Sequence, residues 1–462
     1  MRPPRERPAG NRVDRPARPR IGWSDLRHRR VGLWGLGVEG RAGLRKLRSL
    51  DTEPILVDDD PSTEAQTGGV LATRASGLEA LLGCEVVIKT PGLSRYREDV
   101  RRLVGAGIPV VGGLGLWLEE ADAPRVVCIT GTKGKSTTTA IAAHLLSGLG
   151  HRVLAGGNLG TPPYDPEVGD AYDAWIIEVS SYQATDVATT PPVTAVTSLH
   201  PDHLPWHDHR AETYFADKLS LCHQPGARLT IANGDSVLLR EREDALGPQV
   251  RWVHADDRPT AAWTQALGLL GSHNRGNALI AQACLEALGI PEAGDDDALA
   301  RAAVGLPQME GRLRPVGSVG DVLFVDDTLS TNVLPTLAAV GAFPGRRIAL
   351  LLGGADRGID YGPLADGLAG RAWPTLVLVT ASQSGPAMAE VLAARQLGPH
   401  VEVRPAGDVA ETAVTGWSWA RPDGVVLLSP AAPSFDHYRD YQAKGAAFLA
   451  ALAACRQLQA GG

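Results

Sequence analysis

The residues best suited to chemistry form a glycine loop between an apolar run and a helical pattern. Residues 131–137 read Gly-Thr-Lys-Gly-Lys-Ser-Thr and follow the β-type run 126–130. Glycines let the backbone approach phosphates closely, and amides at the start of the next helix can bind them. Lys135 adds positive charge, and the Ser136 hydroxyl is a typical Mg²⁺ ligand. The loop predicts a nucleotide site; the alternative is an ordinary strand-to-helix turn. It is shorter than the usual phosphate loop, because Ile129 replaces the first glycine.

A second glycine loop follows the first apolar run of the chain. Gly35, Gly37 and Gly40 have G-x-G-x-x-G spacing, and Asp58 ends the next apolar run. This pattern predicts a diphosphate at a helix N-terminus, with the acid near a ribose or base. Residues 90–92, Thr-Pro-Gly, follow another apolar run, where we expect the next ligand loop. A tight turn without a ligand is the alternative.

Polar side chains also follow two apolar runs in the middle of the chain. Glu178 ends the run that begins at Trp175, so it is either a Mg²⁺ ligand near the phosphate loop or a surface acid. Four histidines follow the next run, at positions 200, 203, 207 and 209. They lie in a Pro-rich loop without a nearby cysteine, which disfavours a four-ligand zinc site. One histidine beside a second Mg²⁺ or a phosphoryl group fits better.

Other candidates are ambiguous from local pattern. Lys218 lies in a helical pattern and would usually be a solvated lysine. Asn274 and Asn277 begin another helical pattern, where they could face an adenine or cap the helix. Arg312 and Asp327 flank the start of the last third of the chain and could reach a bound nucleotide.

Composition indicates an ordinary globular protein. The 462 residues suffice for about three domains. A net charge of −7 gives no sign of a nucleic-acid-binding surface. The five cysteines are scattered without a Cys-x-x-Cys pair, which favours buried thiols in a reducing cytoplasm. No apolar run approaches the roughly 20 residues that span a bilayer, so we expect no membrane insertion.

Strand patterns alternate with helical patterns along the chain, which indicates parallel sheets covered by helices. The predicted strands are 30–34, 54–57, 85–89, 109–111, 126–130, 175–179, 193–199, 228–232, 322–325, 347–352, 375–379 and 424–428. We therefore predict an α/β protein of three domains with mainly parallel sheets. They are a Rossmann-like domain (21–122), a P-loop ATPase-like domain (123–310) and a second Rossmann-like domain (311–462), after a disordered Arg/Pro-rich tail (1–20).

In this order and spacing, the segments resemble the Mur ligases of bacterial cell-wall synthesis, from about residue 30 to the C-terminus. The matching segments are 131–137, 157–160, 178–183, 202–203, 273–277, 311–312, Asp327 and 428–435. The chain looks most like the members that add glutamate to UDP-N-acetylmuramoyl-L-alanine. The resemblance implies a cytoplasmic ATP-dependent ligase of peptidoglycan precursor synthesis that acts through an acyl phosphate. It also implies that the three domains hold the UDP-substrate, ATP and glutamate, in that order.

The resemblance further implies a role for each matched residue. ATP would contact Gly131, Thr132, Lys133, Gly134, Lys135, Ser136, Thr137, Asn274, Asn277, Arg312 and Asp327. The UDP-substrate would contact Gly35, Gly37, Gly40, Asp58, Thr90, Gly92, Asn158 and Gln183. Two Mg²⁺ ions would be held by Ser136, Glu178, His203 and Lys218, the last as a carbamate formed with CO₂. Lys135, His203 and Lys218 would be catalytic, and glutamate would contact Thr331, Arg357, Ser434 and Tyr441.

The chain departs from the D-glutamate-adding members where glutamate would bind. Leu329 replaces a lysine, and the loop 353–357 ends in Arg357 rather than lysine. These segments are closer to the subgroup that adds L-glutamate and relies on a later epimerase, so we expect L-glutamate. The alternatives are the D-glutamate ligase, a nicotinamide-dependent oxidoreductase suggested by the first glycine loop, and a nucleotide-gated switch without ligase activity.

Overall fold

The computed structural model describes residues 18–158 and 160–461. The chain divides into two compact units: one runs to Val253 and includes Ala283–Ile290, and the other comprises His254–Gln282 and the chain from Pro291. The predicted domain boundaries near residues 122 and 310 stay predictions. Most of the predicted tail, residues 1–17, lies outside the described residues. At its end, Arg18 donates to the carbonyl of Ala184 at 2.7 Å.

The first sheet contains five parallel strands in the order β3-β2-β1-β4-β5. Its strands are β1 (Val31–Trp34), β2 (Ile55–Asp58), β3 (Leu71–Ala72), β4 (Val86–Lys89) and β5 (Val110–Val111). The helices in this part of the chain are α1 (Val38–Ser49), α2 (Thr63–Thr67), α3 (Leu78–Leu82), α4 (Glu98–Gly105) and α5 (Gly113–Glu120). Helix α1 begins within the first glycine loop: Gly37 caps it and Gly40 lies in its first turn.

The second sheet lies in the same unit and has six parallel strands in the order β11-β10-β9-β6-β8-β7. The strands are β6 (Val126–Thr130), β7 (Val153–Gly157), β8 (Ala174–Glu178), β9 (Val193–Val196), β10 (Leu229–Asn233) and β11 (Val250–Val253). The helices are α6 (Lys135–Gly148), α7 (Ser181–Ala184), α8 (Ala211–Leu219) and α9 (Val237–Arg240). Strand β6 is central and wholly buried, so the phosphate loop starts from a rigid strand end.

Three helices follow the second sheet: α10 (Trp263–Ala266), α11 (Ser272–Ala287) and α12 (Asp296–Ala303). The third sheet has the order β12-β13-β17-β14-β15-β16. It comprises β12 (Arg314–Val319), β13 (Val322–Asp326), β14 (Ile348–Leu352), β15 (Thr375–Val379), β16 (Val401–Pro405) and β17 (Val425–Leu428). Its helices are α13 (Val333–Gly341), α14 (Gly362–Ala369), α15 (Gly385–Ala393), α16 (Val409–Ala420) and α17 (Tyr441–Gly461). Strand β12 pairs antiparallel with β13, and the other strands pair in parallel.

Alternate residues of the inner strands belong to different apolar clusters, one on each face of a sheet. In β14, Ile348 and Leu350 join one cluster, whereas Ala349 and Leu351 join the other. Burial on both faces explains why these strands are nearly continuous apolar runs. The predicted α/β fold with three mainly parallel sheets is confirmed, and each predicted run coincides with a strand.

Candidate active site

The phosphate loop joins β6 to α6 in the predicted order. Gly131 has φ 140°, and a Cβ there would overlap the Thr197 hydroxyl, so only glycine fits this position. Gly134 is left-handed at φ 91° and caps helix α6, which begins at Lys135. Helix amides and the glycine backbone thus lie together at the carboxyl end of a central strand, where α/β sheets bind ligands.

Two lysines converge on this loop. The Lys135 ammonium donates to the carbonyls of Gly131 at 2.9 Å and Thr132 at 3.2 Å. The Lys218 ammonium, on α8, donates to the same Gly131 oxygen at 2.9 Å. Lys218 is buried, and burial, followed by the nearby charge of Lys135, lowers its pKa well below the usual lysine value. It is therefore not the solvated lysine that local pattern favours.

Glu178 ends β8, next to β6, and is buried. Its Oε1 accepts from Asn158 Nδ2 at 2.6 Å, whereas Oε2 is buried and has no hydrogen-bond partner in the described part of the chain. An unpartnered carboxylate oxygen beside the phosphate loop suits a divalent cation, and Ser136 lies in the first turn of α6. These residues fit Mg²⁺. Within residues 18–158 and 160–461, no three His, Cys, Asp or Glu side chains form a metal-binding group.

The histidines of residues 200–209 lie in different surroundings. His203 is exposed and has φ 52°, its Nε2 lies 3.8 Å from Asp202 Oδ2, and partial desolvation of its ring lowers its pKa. Asp202 also pairs with Lys133 of the phosphate loop at 3.3 Å. His207 is fully buried, and His209 is exposed. The role of His203 beside a second Mg²⁺ or a phosphoryl group stays a prediction.

The first glycine loop has the geometry of a phosphate-binding turn. A Cβ on Gly40 would overlap the Gly35 carbonyl, whereas one on Gly37 would meet open space. Asp58 Oδ2 accepts from the Leu36 amide at 2.8 Å, so this carboxylate holds the loop in place. Thr90 packs against Gly35, which brings two of the predicted ligand loops together.

Gln183, which is predicted to contact the UDP-substrate, is bonded to Glu39, a residue that sequence reasoning missed. Gln183 Nε2 donates to Glu39 Oε1 at 2.7 Å, and Tyr164 OH donates to Glu39 Oε2 at 3.2 Å. Burial raises the pKa of Glu39 to about 7. Gln183 also forms a capping box with Ser180 at the start of α7. Glu39 lies in the first turn of α1, where an acid usually interacts with the helix dipole in solvent, and no sequence signal indicated its burial.

The remaining predicted ATP contacts lie in the second compact unit. Asn274 Nδ2 donates to Leu270 O at 2.8 Å, and Asn277 Nδ2 donates to Asn274 Oδ1 at 3.2 Å. Asp327 is buried, accepts from Leu313 N at 3.0 Å and Ser429 Oγ at 2.7 Å, and has a pKa raised by burial to about 7. Their roles toward ATP, and that of half-buried Arg312, stay predictions.

The predicted glutamate residues lie at the loops that follow β14 and β17. The Ala355 amide donates to Pro433 O at 2.7 Å, which joins the loop ending in Arg357 to the segment containing Ser434. The Arg357 guanidinium lies 5.7 Å from the centre of the Phe435 ring. The Ser434 hydroxyl is buried without a hydrogen-bond partner among the described residues, and its role toward glutamate stays a prediction.

The two other predicted glutamate contacts are Thr331 and Tyr441. Thr331 follows β13 in a turn, with its amide 2.9 Å from Leu329 O, and Tyr441 begins α17. Sequence analysis missed Lys444 in this helix. It is buried, it donates to Gly353 O at 2.5 Å, and burial lowers its pKa to about 8. Lys444 thereby supports the loop that carries Arg357.

A family model for the Mur ligase middle domain matches residues 129–285. The chain is 38% identical to the UDP-N-acetylmuramoyl-L-alanine–L-glutamate ligase of Xanthomonas axonopodis pv. citri, over 92% of this chain and 95% of that protein. It is 36% identical to the ligase of the same name from Salinispora tropica, over 93% and 98%.

Solved structures show the same fold at lower identity. MurF ligase from Thermotoga maritima in complex with ADP is 14% identical with a TM-score of 0.53, covering 94% of this chain and 99% of that one. UDP-N-acetylmuramate-alanine ligase MurC from the same organism is 17% identical with a TM-score of 0.52, covering 92% and 100%.

Proposed function

Because the chain belongs to the Mur ligase family, we propose that it joins L-glutamate to UDP-N-acetylmuramoyl-L-alanine at the expense of ATP. The observation that carries this proposal is the convergence of Lys135 and Lys218 on Gly131, beside the unpartnered Glu178 oxygen. An oxidoreductase would leave this arrangement unused. The relatives are named for L-glutamate, so the D-glutamate alternative is not favoured either.

The reaction begins at the phosphate loop. An oxygen of the alanyl carboxylate attacks the γ-phosphorus of ATP, the bond to ADP breaks, and an acyl phosphate forms. Two negative charges about 4 Å apart repel by roughly 4 kcal/mol at an effective dielectric of about 20. Lys135 and the amides of residues 131–137 offset this repulsion at the γ-phosphate.

The second step forms the amide. The neutral amine of glutamate attacks the acyl carbon, and collapse of the tetrahedral intermediate expels inorganic phosphate. His203, neutral beside the loop, is suited to stabilise charge on this intermediate or to accept the proton that the amine loses. The products are ADP, phosphate and the extended UDP-substrate.

Two Mg²⁺ ions fit the donors present. Ser136 and Glu178 would hold one ion, and His203 and Lys218 the other. Bound Mg²⁺ would neutralise phosphate charge during transfer. For Lys218 this requires that its amine attack the carbon of CO₂ and lose a proton, which gives an anionic carbamate. Its burial and lowered pKa support that step, because only a neutral amine is nucleophilic.

The two other substrates use the remaining predicted residues. The loop from Gly35 to Gly40, with Asp58, Thr90 and Gly92, would hold the UDP diphosphate, and Asn158 and Gln183 would lie toward the muramoyl group. Glutamate would lie against Arg357, whose planar guanidinium can bind a carboxylate through two hydrogen bonds. Ser434, Thr331 and Tyr441 would complete its site.

We place the enzyme in the cytoplasm, where ATP and the UDP-substrate are available, and expect a later epimerase to act on its L-glutamyl product. No helix of the described residues is long and apolar enough to cross a membrane.

A phosphate-release assay tests the proposal. With ATP and Mg²⁺, release should require both UDP-N-acetylmuramoyl-L-alanine and an amino acid, and L-glutamate should exceed D-glutamate and other amino acids. Release without the amino acid would indicate a nucleotide-gated ATPase. A clear preference for D-glutamate would overturn the stereochemistry.

A further inference from the structure

A buried hydrogen-bond chain joins Ser181, His207 and Asp217. His207 Nε2 lies 3.0 Å from Ser181 Oγ, and His207 Nδ1 lies 2.6 Å from Asp217 Oδ2. Tyr96 OH donates to Asp217 as well, at 2.8 Å from Oδ1 and 2.9 Å from Oδ2. His207 and Asp217 are 0% exposed and Ser181 is 3% exposed. None of these four residues belongs to the predicted active site.

The direction of each hydrogen bond follows from the groups involved. A carboxylate only accepts, so the proton between His207 and Asp217 belongs to Nδ1. Nε2 is then the acceptor, and the Ser181 hydroxyl donates to it. Serine hydrolases use the same order of groups. Here the serine is buried, so no substrate can reach its hydroxyl, and a nucleophilic role is excluded.

Each member of the hydrogen-bond chain is close in sequence to a different residue of the candidate nucleotide site. Ser181 begins α7, three residues after Glu178. His207 ends the 3₁₀ helix Leu204–His207, which starts directly after His203. Asp217 precedes Lys218 in α8. Three segments that carry site residues are thus joined at one buried point.

The hydrogen-bond chain fixes the directions of neighbouring side chains as well as their positions. Successive side chains on an α-helix point about 100° apart, so anchoring Asp217 sets the direction of its neighbour Lys218 toward Gly131. His203 and His207 lie at the two ends of one short helix, so anchoring His207 also limits the movement of His203. Packing adds to this, because the Trp206 ring stacks on Tyr182 with centroids 4.5 Å apart.

We propose that Ser181, His207 and Asp217 are positioning residues. They hold the side chains of Glu178, His203 and Lys218 in fixed positions relative to one another at the nucleotide site. The inference rests on the proposed ligase activity. It predicts that breaking the chain lowers the turnover number for each intact active site. A merely structural role would lower only the number of intact sites.

The test compares His207→Phe with His209→Asn in the full-length protein. The test variant keeps a ring at position 207 and removes both hydrogen bonds. The control changes His209, which lies in the same segment, is exposed and has φ 57°, a value that asparagine adopts readily. Active sites are counted by titration with a non-hydrolysable ATP analogue, and kcat per site and KM are measured with L-glutamate. We expect His207→Phe to lower kcat about 100-fold, as for a site displaced by about 1 Å, with KM for ATP changed less than about threefold. His209→Asn should match the wild type.

Two milder variants keep the test decisive if His207→Phe binds no nucleotide. Tyr96→Phe and Ser181→Ala each remove one oxygen, and each should lower kcat per site about tenfold at an unchanged melting temperature. Wild-type kcat per site in both variants would overturn the inference while the ligase activity stands. A wild-type protein that forms no product would overturn the proposed function, and the inference with it.

Discussion

Lys135 and Lys218 donate to the same atom, the carbonyl oxygen of Gly131, each at 2.9 Å. One lysine begins helix α6 and the other lies on α8, so the phosphate loop is held between two helices. Burial, followed by the nearby charge of Lys135, lowers the pKa of Lys218. The two lysines therefore differ in surroundings although they share one acceptor.

Lys218→Ala should be inactive with ATP, UDP-substrate and glutamate, because an anionic metal ligand is lost. Short carboxylates such as acetate should restore part of the activity by occupying the carbamate position. Lys46→Ala, in the last turn of α1, is the control and should retain wild-type turnover. Complete inactivity of Lys218→Ala at every carboxylate concentration would instead indicate a structural lysine.

Lys135→Ala should lower kcat about 1000-fold, since it removes a cation that offsets about 4 kcal/mol of repulsion at the γ-phosphate. Binding of UDP-N-acetylmuramoyl-L-alanine, measured by calorimetry, should change less than about twofold. Near-normal turnover in this variant would reject the assigned role.

Glu178→Gln should raise the Mg²⁺ concentration that gives half-maximal activity at least about tenfold, because a neutral amide is a poorer ligand than the buried Oε2. Calorimetric titration of Mg²⁺ into protein loaded with a non-hydrolysable ATP analogue should show the same loss. The control is Glu212→Gln, on the exposed start of α8. Equal Mg²⁺ affinity in both variants would exclude Glu178 as a ligand.

Glu39 should make stability depend on pH. Its pKa rises from 4.5 to about 7 on folding, so between these values the folded protein keeps a proton that the unfolded chain has lost. The free energy of unfolding should therefore fall as pH rises through this range, by about 3 kcal/mol. In urea unfolding at pH 5 and pH 7.5, Glu39→Gln should lose this difference, whereas the exposed Glu64→Gln should keep it. A Glu39→Gln variant with the full wild-type difference would contradict the assignment.

All inner strands were predictable from sequence, whereas of the six edge strands of the described sheets only β5 was. The five strands that prediction missed, β3, β7, β11, β12 and β16, are all edge strands of the described sheets. An edge strand is partly solvated, so its apolar run is interrupted by polar residues, glycine or proline. In β12, for example, Arg-Pro-Val-Gly-Ser-Val contains only two apolar side chains besides proline.

At the candidate site, motifs indicated candidate residues but not the contacts that hold them. Glycine spacing predicted the geometry of the loop at 131–137, because steric limits on φ act locally. Lys218 and Glu39 form hydrogen bonds with residues more than 80 positions away, Gly131 and Gln183. Such contacts depend on how strands are ordered within a sheet, which local sequence does not encode.

The origin of the oxygen in the released phosphate tests the central claim most directly. UDP-N-acetylmuramoyl-L-alanine labelled with ¹⁸O in the alanyl carboxylate is turned over with ATP and L-glutamate, and the phosphate is analysed by mass spectrometry. Attack of that carboxylate on the γ-phosphate predicts one labelled oxygen in each phosphate formed from fully labelled substrate. Unlabelled phosphate accompanying full amide formation would contradict the acyl phosphate and the function built on it.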